Sequence, residues 1–250
     1  NNKSATKPAP MLFFNACSFY GNDKTVASTS DFEYDIYGNA GSRIAMNNCA
    51  FKAADSKISK NGSLIACEGR TVIANTTIWG SSYTSDRALA VVGSKLPGSP
   101  ATMVNCLVNQ NNTKGSSCPA LLLPEGYYLD MSYSMYRGYA GDGIHNLSNC
   151  FLLTAAPTKA VYLTKDKSEA CTIRGIKHEI FKYPFVEGEA ATYPGFELAT
   201  KAAVIAAVES NAIGVTFSSW LKELGAYDKD MLGKPRTKIY PGSYHNTQGN

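Results

Sequence analysis

The chain has 250 residues, 44% of them hydrophobic, which is enough for one large core or two modest ones and does not indicate disorder. Its 24 Lys and Arg exceed its 20 Asp and Glu by four, and the charges are scattered, so no basic stripe indicates nucleic-acid binding. No apolar run approaches the roughly 20 residues of a transmembrane segment. Residues 1–10 lack the regions of a signal peptide and are interpreted as a linker or a truncated end.

A four-residue pattern begins at Ala16 and recurs along the chain. With 15 Tyr, 10 Phe and 21 Gly, the composition suits short strands joined by turns. The copies are ACSF at Ala16, NCAF at Asn48, TTIW at Thr76, NCLV at Asn105, SYSM at Ser132 and NCFL at Asn149. The first four spacings are 32, 28, 29 and 27 residues, which indicates a repeated supersecondary unit.

Alternation within each tetrad predicts a strand whose second and fourth residues face inward. These pairs are Cys17 and Phe19, Cys49 and Phe51, Thr77 and Trp79, Cys106 and Val108, Tyr133 and Met135, and Cys150 and Leu152. Trp79 is therefore expected in the core. A second short strand precedes the tetrad, as in Leu12 and Phe14, Ile44 and Met46, or Val72 and Ala74, and an Asn that tolerates the left-handed conformation turns the corner.

Two short strands around an Asn corner cannot bury their apolar face alone, so each unit must stack on the next. The pattern predicts an all-β fold, a single-stranded right-handed parallel β-helix (solenoid), over residues 11–156. Residues 157–250 are predicted to hold the last strands, including CTIRGIKHEIF and AVYLTKD, and a C-terminal cap of the same domain. One helix is expected in that cap, with an apolar face through Leu198, Ala202, Ile205 and Val208.

The seven Cys include no CxxC pair, so the sequence indicates neither a zinc site nor a complete disulfide framework. A column containing Cys17, Cys49 and Cys106 is typical of small buried hydrophobes. Disulfides between neighbouring units are the alternative, because adjacent strands lie about 4.8 Å apart.

The densest group of chemically capable side chains lies in YYLDMSYSMYRGYAGDGIHN, residues 127–146, since GxSxG, HExxH and phosphate-loop motifs are absent from the sequence. Tyr136, Tyr139 and Arg137 are predicted to bind substrate, because aromatic faces stack on sugars and Arg clamps carboxylates or sulfates. Arg137, Asp142 and His145 are the catalytic candidates, with His145 as acid or base. The alternative is that these are ordinary strand and loop residues.

Two further features of the sequence bear on sites. Glu68 and Arg70 form a second candidate pair, interpreted first as a surface pair on a strand. With three His in the chain, no histidine-rich metal site is predicted.

The closing stretch AYDKDMLGKPRTKIYPGSY, with Asp230, Gly233, Arg236, Gly242 and Tyr244, resembles the DxxGxxR…GAY ending of secreted bacterial β-helix proteins. These belong to the pectate-lyase-like (pectin-lyase-like) superfamily, which includes choice-of-anchor Q proteins. Here the ending is GSY, and His245 stands where an acidic residue commonly follows. We interpret Asp230, Gly233 and Arg236 as a closing turn with an ion pair.

The resemblance implies a secreted or cell-surface protein of the bacterial envelope, often concerned with polysaccharide and anchored through a removed or missing segment. Lyases of this fold use a carboxylate cluster for calcium and a basic residue for proton transfer. The sequence shows no compact Asp cluster, so no cofactor or metal is predicted and calcium is not indicated.

Two functions remain open at this stage. The first is an extracellular module that binds or processes polysaccharide or another glycan, as a relative of polysaccharide lyases or glycoside hydrolases. The second is a noncatalytic structural or adhesin-like surface module. An enzyme requires carboxylate and basic side chains that converge in a groove. The small number of units also suggests missing N-terminal units.

Overall fold

The computed structural model describes residues 10–20, 34–52, 63–80, 88–110, 120–136, 139–152, 169–173, 176–180 and 197–243. Seventeen of its strands form three parallel sheets. Sheet A contains β1 (Met11–Asn15), β4 (Arg43–Asn47), β7 (Arg70–Ala74), β10 (Ala101–Val104), β13 (Tyr128–Ser132) and β16 (Ile144–Ser148). Sheet B contains β2 (Ser18–Tyr20), β5 (Ala50–Lys52), β8 (Thr77–Gly80), β11 (Leu107–Gln110), β14 (Met135–Tyr136) and β17 (Phe151–Leu152). Sheet C contains β3 (Ile36–Gly38), β6 (Ile65–Cys67), β9 (Ala90–Val92), β12 (Leu121–Leu122) and β15 (Tyr139–Ala140).

Each of the first five units adds one strand to sheet A, one to sheet B and one to sheet C before the chain returns to sheet A, and the described part of the sixth unit adds β16 to sheet A and β17 to sheet B. Neighbouring strands within the three sheets are parallel throughout the paired positions. The prediction of a mainly parallel β fold built from stacked units is therefore confirmed.

One residue in the left-handed conformation turns the chain from sheet A into sheet B in every unit. The six residues have φ between 47° and 55° and are Ala16, Asn48, Asn75, Asn105, Tyr133 and Asn149. Asn tolerates this conformation better than other side chains, which confirms the predicted Asn corner. Ala16 and Tyr133 occupy the same position without that preference.

The register corrects the predicted alignment of the third and fifth units by one residue. Val108 lies opposite Ile78 and Tyr136, so the tetrads are NTTI at Asn75 and YSMY at Tyr133. A one-residue shift moves each side chain of a strand to the opposite face. The inward pairs are Thr76 with Ile78 and Ser134 with Tyr136. The predicted inward positions of Thr77, Tyr133 and Met135 are therefore wrong, and Val72 and Ala74 of the preceding strand face the helices.

The backbone of Trp79 pairs with Lys52 and Asn109, one position beyond the inward Ile78. The side chain of Trp79 lies outside the described part of the structure, so its expected burial stays a prediction.

The inward residues of the three sheets form one hydrophobic core. Ile44 from sheet A, Phe51 from sheet B and Ile65 from sheet C are all within 2% of complete burial. The rings of Phe19 and Phe51 stack with centroids 4.4 Å apart and planes 2° apart. Equivalent residues of successive units thus lie in columns, as the repeat predicts.

The second tetrad residues form a column of small side chains along the A-to-B corner. Its members are Cys17, Cys49, Thr76, Cys106, Ser134 and Cys150. The backbone N–H of Cys106 donates to Ser134 Oγ at 3.0 Å. The five cysteines whose side chains are described are free thiols; Cys49, Cys67 and Cys106 are buried, as the buried-hydrophobe interpretation predicts, whereas Cys17 and Cys150 are half-buried.

The C-terminal region contains two described α-helices, α1 (Lys201–Glu209) and α2 (Gly214–Glu223), where one was predicted. They lie against the outer face of sheet A, where α1 contacts β7 and β10. The predicted cap on an end of the stack stays a prediction. Val204 and Val208 of α1 share a second core with Val72 and Val104. Strands such as β4 and β7 are apolar on both faces, so their outer face also needs a cover.

The apolar face predicted for α1 is partly correct. Val208 is buried and Ile205 half-buried, but Ala202 is exposed and Val204 takes the buried position. The predicted strand region CTIRGIKHEIF contains an antiparallel pair, β18 (Glu169–Ile173) and β19 (Ile176–Ile180). The predicted strand AVYLTKD lies outside the described residues.

The predicted closing turn is present after a short 3₁₀ helix, Ala226–Asp228. Asp230 Oδ1 accepts hydrogen bonds from the backbone N–H of Leu232 and Lys234, both at 2.9 Å. Gly233 has φ +77°, which other residues adopt at a cost. The Arg236 guanidinium donates to Asn48 Oδ1 at 2.9 Å and so ties this turn to the second unit.

Candidate functional site

The predicted site segment, residues 127–146, spans β13 to β16, and its members occupy different surfaces. Tyr136 lies in the core with 7% of its surface exposed. Burial, with a smaller effect from Cys150, raises the pKa of its hydroxyl. The Tyr136 ring therefore belongs to the inward column of sheet B, which places it away from an open groove.

Asp142 and His145 are both exposed. Asp142 lies in the turn between β15 and β16, and His145 lies beside the inward Leu129 in the register of sheet A. Tyr139 is paired with Leu121 through the backbone, and its side chain lies outside the description, as does all of Arg137. The described members of the predicted set thus do not share one groove with Tyr136.

The same segment supplies a different group, on the outer face of sheet A. In β13, Leu129 and Met131 face the core, at 1% and 2% exposure, so Tyr128, Asp130 and Ser132 face outward. The register places Asn146 beside Asp130 and Ser148 beside Ser132. We call Tyr128, Asp130, Ser132, Asn146 and Ser148 the polar strip.

The polar strip lies beyond the strands that the helices cover. The sheet A residues in the helix-packed core come from β1, β4, β7 and β10. On β13 and β16, Tyr128 and Asp130 are half-buried, while Asn146 and Ser148 are exposed. Solvent and ligands therefore reach this part of the sheet.

Asp130 and Asn146 are held together by a hydrogen bond from Asn146 Nδ2 to Asp130 Oδ1 of 2.7 Å. A carboxylate accepts several hydrogen bonds, and an amide offers a second N–H and a carbonyl oxygen. Two backbone hydrogen bonds of 2.9 Å with Ser94 fix Tyr128 at the start of the same strand. The strip thus presents acceptors, donors and an aromatic ring on a rigid surface.

A second group, Glu68, Lys95 and Tyr127, links three successive turns between sheets C and A. Lys95 Nζ lies 2.8 Å from Glu68 Oε2, and Tyr127 Oη donates to Glu68 Oε1 at 2.8 Å. Lys95 Nζ also lies 5.2 Å from the centre of the Tyr127 ring. We call this group the turn cluster.

The contacts within the turn cluster favour the ionised forms of Glu68 and Lys95. Burial alone raises the pKa of Glu68, but hydrogen bonds from Lys95 and Tyr127 outweigh it and lower that pKa. The pKa of Lys95 is raised, first by its hydrogen bond to Glu68. Burial and the Glu68 hydrogen bond raise the pKa of Tyr127. All three side chains contact one another, so the cluster is suited to stabilising the three successive turns.

Sequence reasoning named Glu68 but missed its partners. It had paired Glu68 with Arg70, whereas the hydrogen bonds to Glu68 come from Lys95 and Tyr127. Lys95 follows Glu68 by 27 residues, which is one repeat length. A search for opposite charges one unit apart would have found this pair.

The described ranges contain neither a candidate metal site nor a membrane-spanning helix. In those ranges no group of three His, Cys, Asp or Glu side chains could hold a metal ion. None of the helices described is long and apolar enough to cross a membrane.

The chain matches no protein-family model, no curated protein and no solved structure.

Proposed function

We propose that the three sheets are the faces of a right-handed parallel β-helix and that this β-helix is an extracellular glycan-binding module. The repeated A, B, C order supports the fold, because each unit returns to sheet A beside the strand it left. Crossovers between parallel strands are almost always right-handed. The resemblance of the closing turn to secreted β-helix proteins supports the location.

The Asp130–Asn146 pair on the uncovered part of sheet A is the observation that carries the glycan proposal. A sugar presents adjacent hydroxyl groups, each a donor and an acceptor, and a carboxylate beside an amide complements both. The Tyr128 ring on the same face offers an apolar surface for the sugar ring. Because strands hold these groups, little conformational entropy is lost when a ligand binds.

Binding is favoured over cleavage by the state of the turn cluster. Glu68 has a Lys and a Tyr beside it, as a catalytic carboxylate would need. Its two oxygens already accept hydrogen bonds of 2.8 Å, one from Lys95 and one from Tyr127. A general base needs its proton-accepting oxygen within reach of the substrate. The polysaccharide is therefore proposed as a ligand, and the strip as its site.

The test is binding of the full chain to an array of neutral, uronate-containing and sulfated glycans. Asp130→Asn keeps an oxygen for Asn146 and removes the charge, so the fold is preserved. We expect it to weaken binding about tenfold or more, since a hydrogen bond to a charged group contributes about 1.5–3 kcal/mol. The matched control is Asp228→Asn, which removes an exposed carboxylate paired with Lys201 and should leave binding unchanged.

The outcomes separate the alternatives. Equal binding by wild type and Asp130→Asn would place the site elsewhere on the chain. Absorbance from unsaturated uronate products would make the module a lyase. Lack of binding to every glycan would favour the noncatalytic structural or adhesin-like role.

A further inference from the structure

Cys17 and Cys49 occupy equivalent corner positions in the first two units. The Cys17 carbonyl accepts the backbone N–H of Ala50 at 2.9 Å, and Ser18 is the register partner of Ala50. Neighbouring strands lie about 4.7–4.9 Å apart, which is inside the Cα separation of about 4.4–6.8 Å that disulfides span. The two thiols therefore lie in bridging range.

The environments of the two thiols differ. Cys17 is half-buried in the first unit, whereas Cys49 is fully buried beneath it. A hydrogen bond from the Cys49 thiol lowers the pKa of Cys17 to about 6, while burial raises the pKa of Cys49. This is the asymmetry of a reactive dithiol, in which one sulfur is an accessible thiolate and the other keeps its proton.

The rest of the column provides an internal comparison. Cys106 lies between Thr76 and Ser134, so its neighbours in both adjoining units are hydroxyl residues. It is fully buried, and burial raises its pKa to about 12. Cys106 thus has the same fold position without the exposure or the thiol partner.

We propose that Cys17 and Cys49 form a redox-active dithiol in which Cys17 exchanges with small external disulfides and Cys49 resolves the adduct, joining the first two units covalently. Among the described strands, β1 and β2 of the first unit stand at the ends of sheets A and B. A shift of about 1 Å at this end of the described stack closes the difference between the strand spacing of about 4.8 Å and the usual disulfide Cβ separation of about 3.8 Å.

The chemistry balances with an external disulfide as the oxidant. The Cys17 thiolate attacks one sulfur of the disulfide, a mixed disulfide forms, and the other sulfur leaves as a thiolate. Cys49 then loses its proton to solvent and attacks the Cys17 sulfur, expelling the second external thiolate. The protein loses two hydrogens, and the external disulfide becomes two thiols.

The experiment treats the reduced full chain with oxidised glutathione and maps the products by peptide mass spectrometry. Wild type should yield a peptide pair joined through Cys17 and Cys49. Cys49→Ser should stop at a glutathione adduct on Cys17, and Cys17→Ser should leave Cys49 unmodified. Cys106→Ser is the matched control and should behave as wild type.

A second readout distinguishes reactivity from mere exposure. The pH midpoint of Cys17 alkylation should lie near 6 in wild type and move upward in Cys49→Ala, which keeps the pocket apolar. Besides the Cys49 thiol, the described group that acts on the pKa of Cys17 is the Asn15 carbonyl, 3.5 Å from its Sγ, and that carbonyl does not titrate. Absence of the joined peptide, or an unchanged midpoint in Cys49→Ala, would overturn the proposal.

Discussion

The side-chain amide of Asn75 donates a hydrogen bond of 2.7 Å to Asn47 Oδ1, one unit away. Asn47 donates in turn to Asn15 at 2.8 Å, and Asn105 donates to Asn75 at 2.7 Å. Asn47, Asn75 and Asn105 are buried. This ladder joins four units through groups that would otherwise be costly to bury.

Two substitutions at Asn75 should separate the contribution of its side-chain hydrogen bonds to stability from that of its left-handed backbone. Asn75→Gly keeps the left-handed backbone but leaves the Asn47 oxygen without its donor, so we expect a loss of about 2–4 kcal/mol in the free energy of unfolding. Asn75→Ala should lose about 1 kcal/mol more, because Ala resists that conformation. Urea denaturation measures both.

The control for this series is Asn39→Ala. Asn39 Oδ1 accepts one exposed turn hydrogen bond, from the backbone of Gly41, so a much smaller change is expected. If Asn75→Gly matched the control, the ladder would have no role in stability.

Much of the repeat could be predicted because it depends on local residue types. Asn at a corner and an alternating tetrad are visible in a single unit. The register of the third and fifth units could not be predicted in the same way. At Thr76 the pattern TTIW fits as well as NTTI, and at Tyr133 an aromatic residue occupies the left-handed corner. Pairing with neighbouring strands selects the register there.

The position of the helices is a long-range property that local patterns specify poorly. The alanine-rich α1 was predicted, but α2 begins with Gly and contains Val, Thr and Ser, which are weak helix formers. Packing of Phe217 and Trp220 on Phe13 stabilises it against sheet A. One signal was available, since strands apolar on both faces indicate a cover on each side.

The candidate site was predicted at the level of the segment and not of the residues. Asp130 and Asn146 lie in the segment that the sequence singled out, but their contact depends on the pairing of β13 with β16. Tyr136 was chosen for its ring, and the register placed that ring in the core.

The hydrogen bonds of Arg236 predict that Lys cannot replace it in stabilising the closing turn. Its guanidinium donates to Asn48 Oδ1 and to the Gly242 carbonyl, both at 2.9 Å, and to the Tyr240 carbonyl at 3.4 Å. Burial lowers its pKa to about 10 and the charge of Asp230 opposes this, so the group is cationic at neutral pH. Arg236→Ala should reduce the free energy of unfolding by about 3 kcal/mol.

Arg236→Lys should recover little of that loss, because an ammonium group cannot reproduce the planar fork. Limited proteolysis between Asp230 and Ser243 provides a local measurement, with faster cleavage expected in both variants. Full recovery by Lys would mean that charge alone fastens the segment.

Glu68 predicts a loss of stability in acid. Its pKa is lower in the folded protein than in the unfolded chain, so its contribution is complete above the unfolded value and is lost as the pH falls through the folded value. The difference in unfolding free energy between wild type and Glu68→Gln should be about 1 kcal/mol at pH 7 and should shrink below about pH 4. A double-mutant cycle with Lys95→Met should show coupling at pH 7 and little in acid.

Gly242 and Gly233 form a matched pair for the last prediction. Both have positive φ, +101° and +77°, so Ala is strained at either position. A Cβ on Gly242 would lie 2.6 Å from Thr77 Oγ1, whereas a Cβ on Gly233 meets nothing within 4 Å. Gly233→Ala should therefore lower the free energy of unfolding by about 1 kcal/mol, through backbone strain alone.

Gly242→Ala should cost about 1–3 kcal/mol more, because the added methyl displaces the closing segment from the sheet. The backbone N–H of Ser243, which donates to Thr77 Oγ1 at 3.0 Å, would lose its acceptor at the same time. Thermal and urea denaturation of the two variants measure the difference. The added cost should fall in a Gly242→Ala, Thr77→Ala double variant, since removal of the hydroxyl makes room for the methyl. If the double variant gained nothing, the close approach of Gly242 to sheet B would not be what requires glycine.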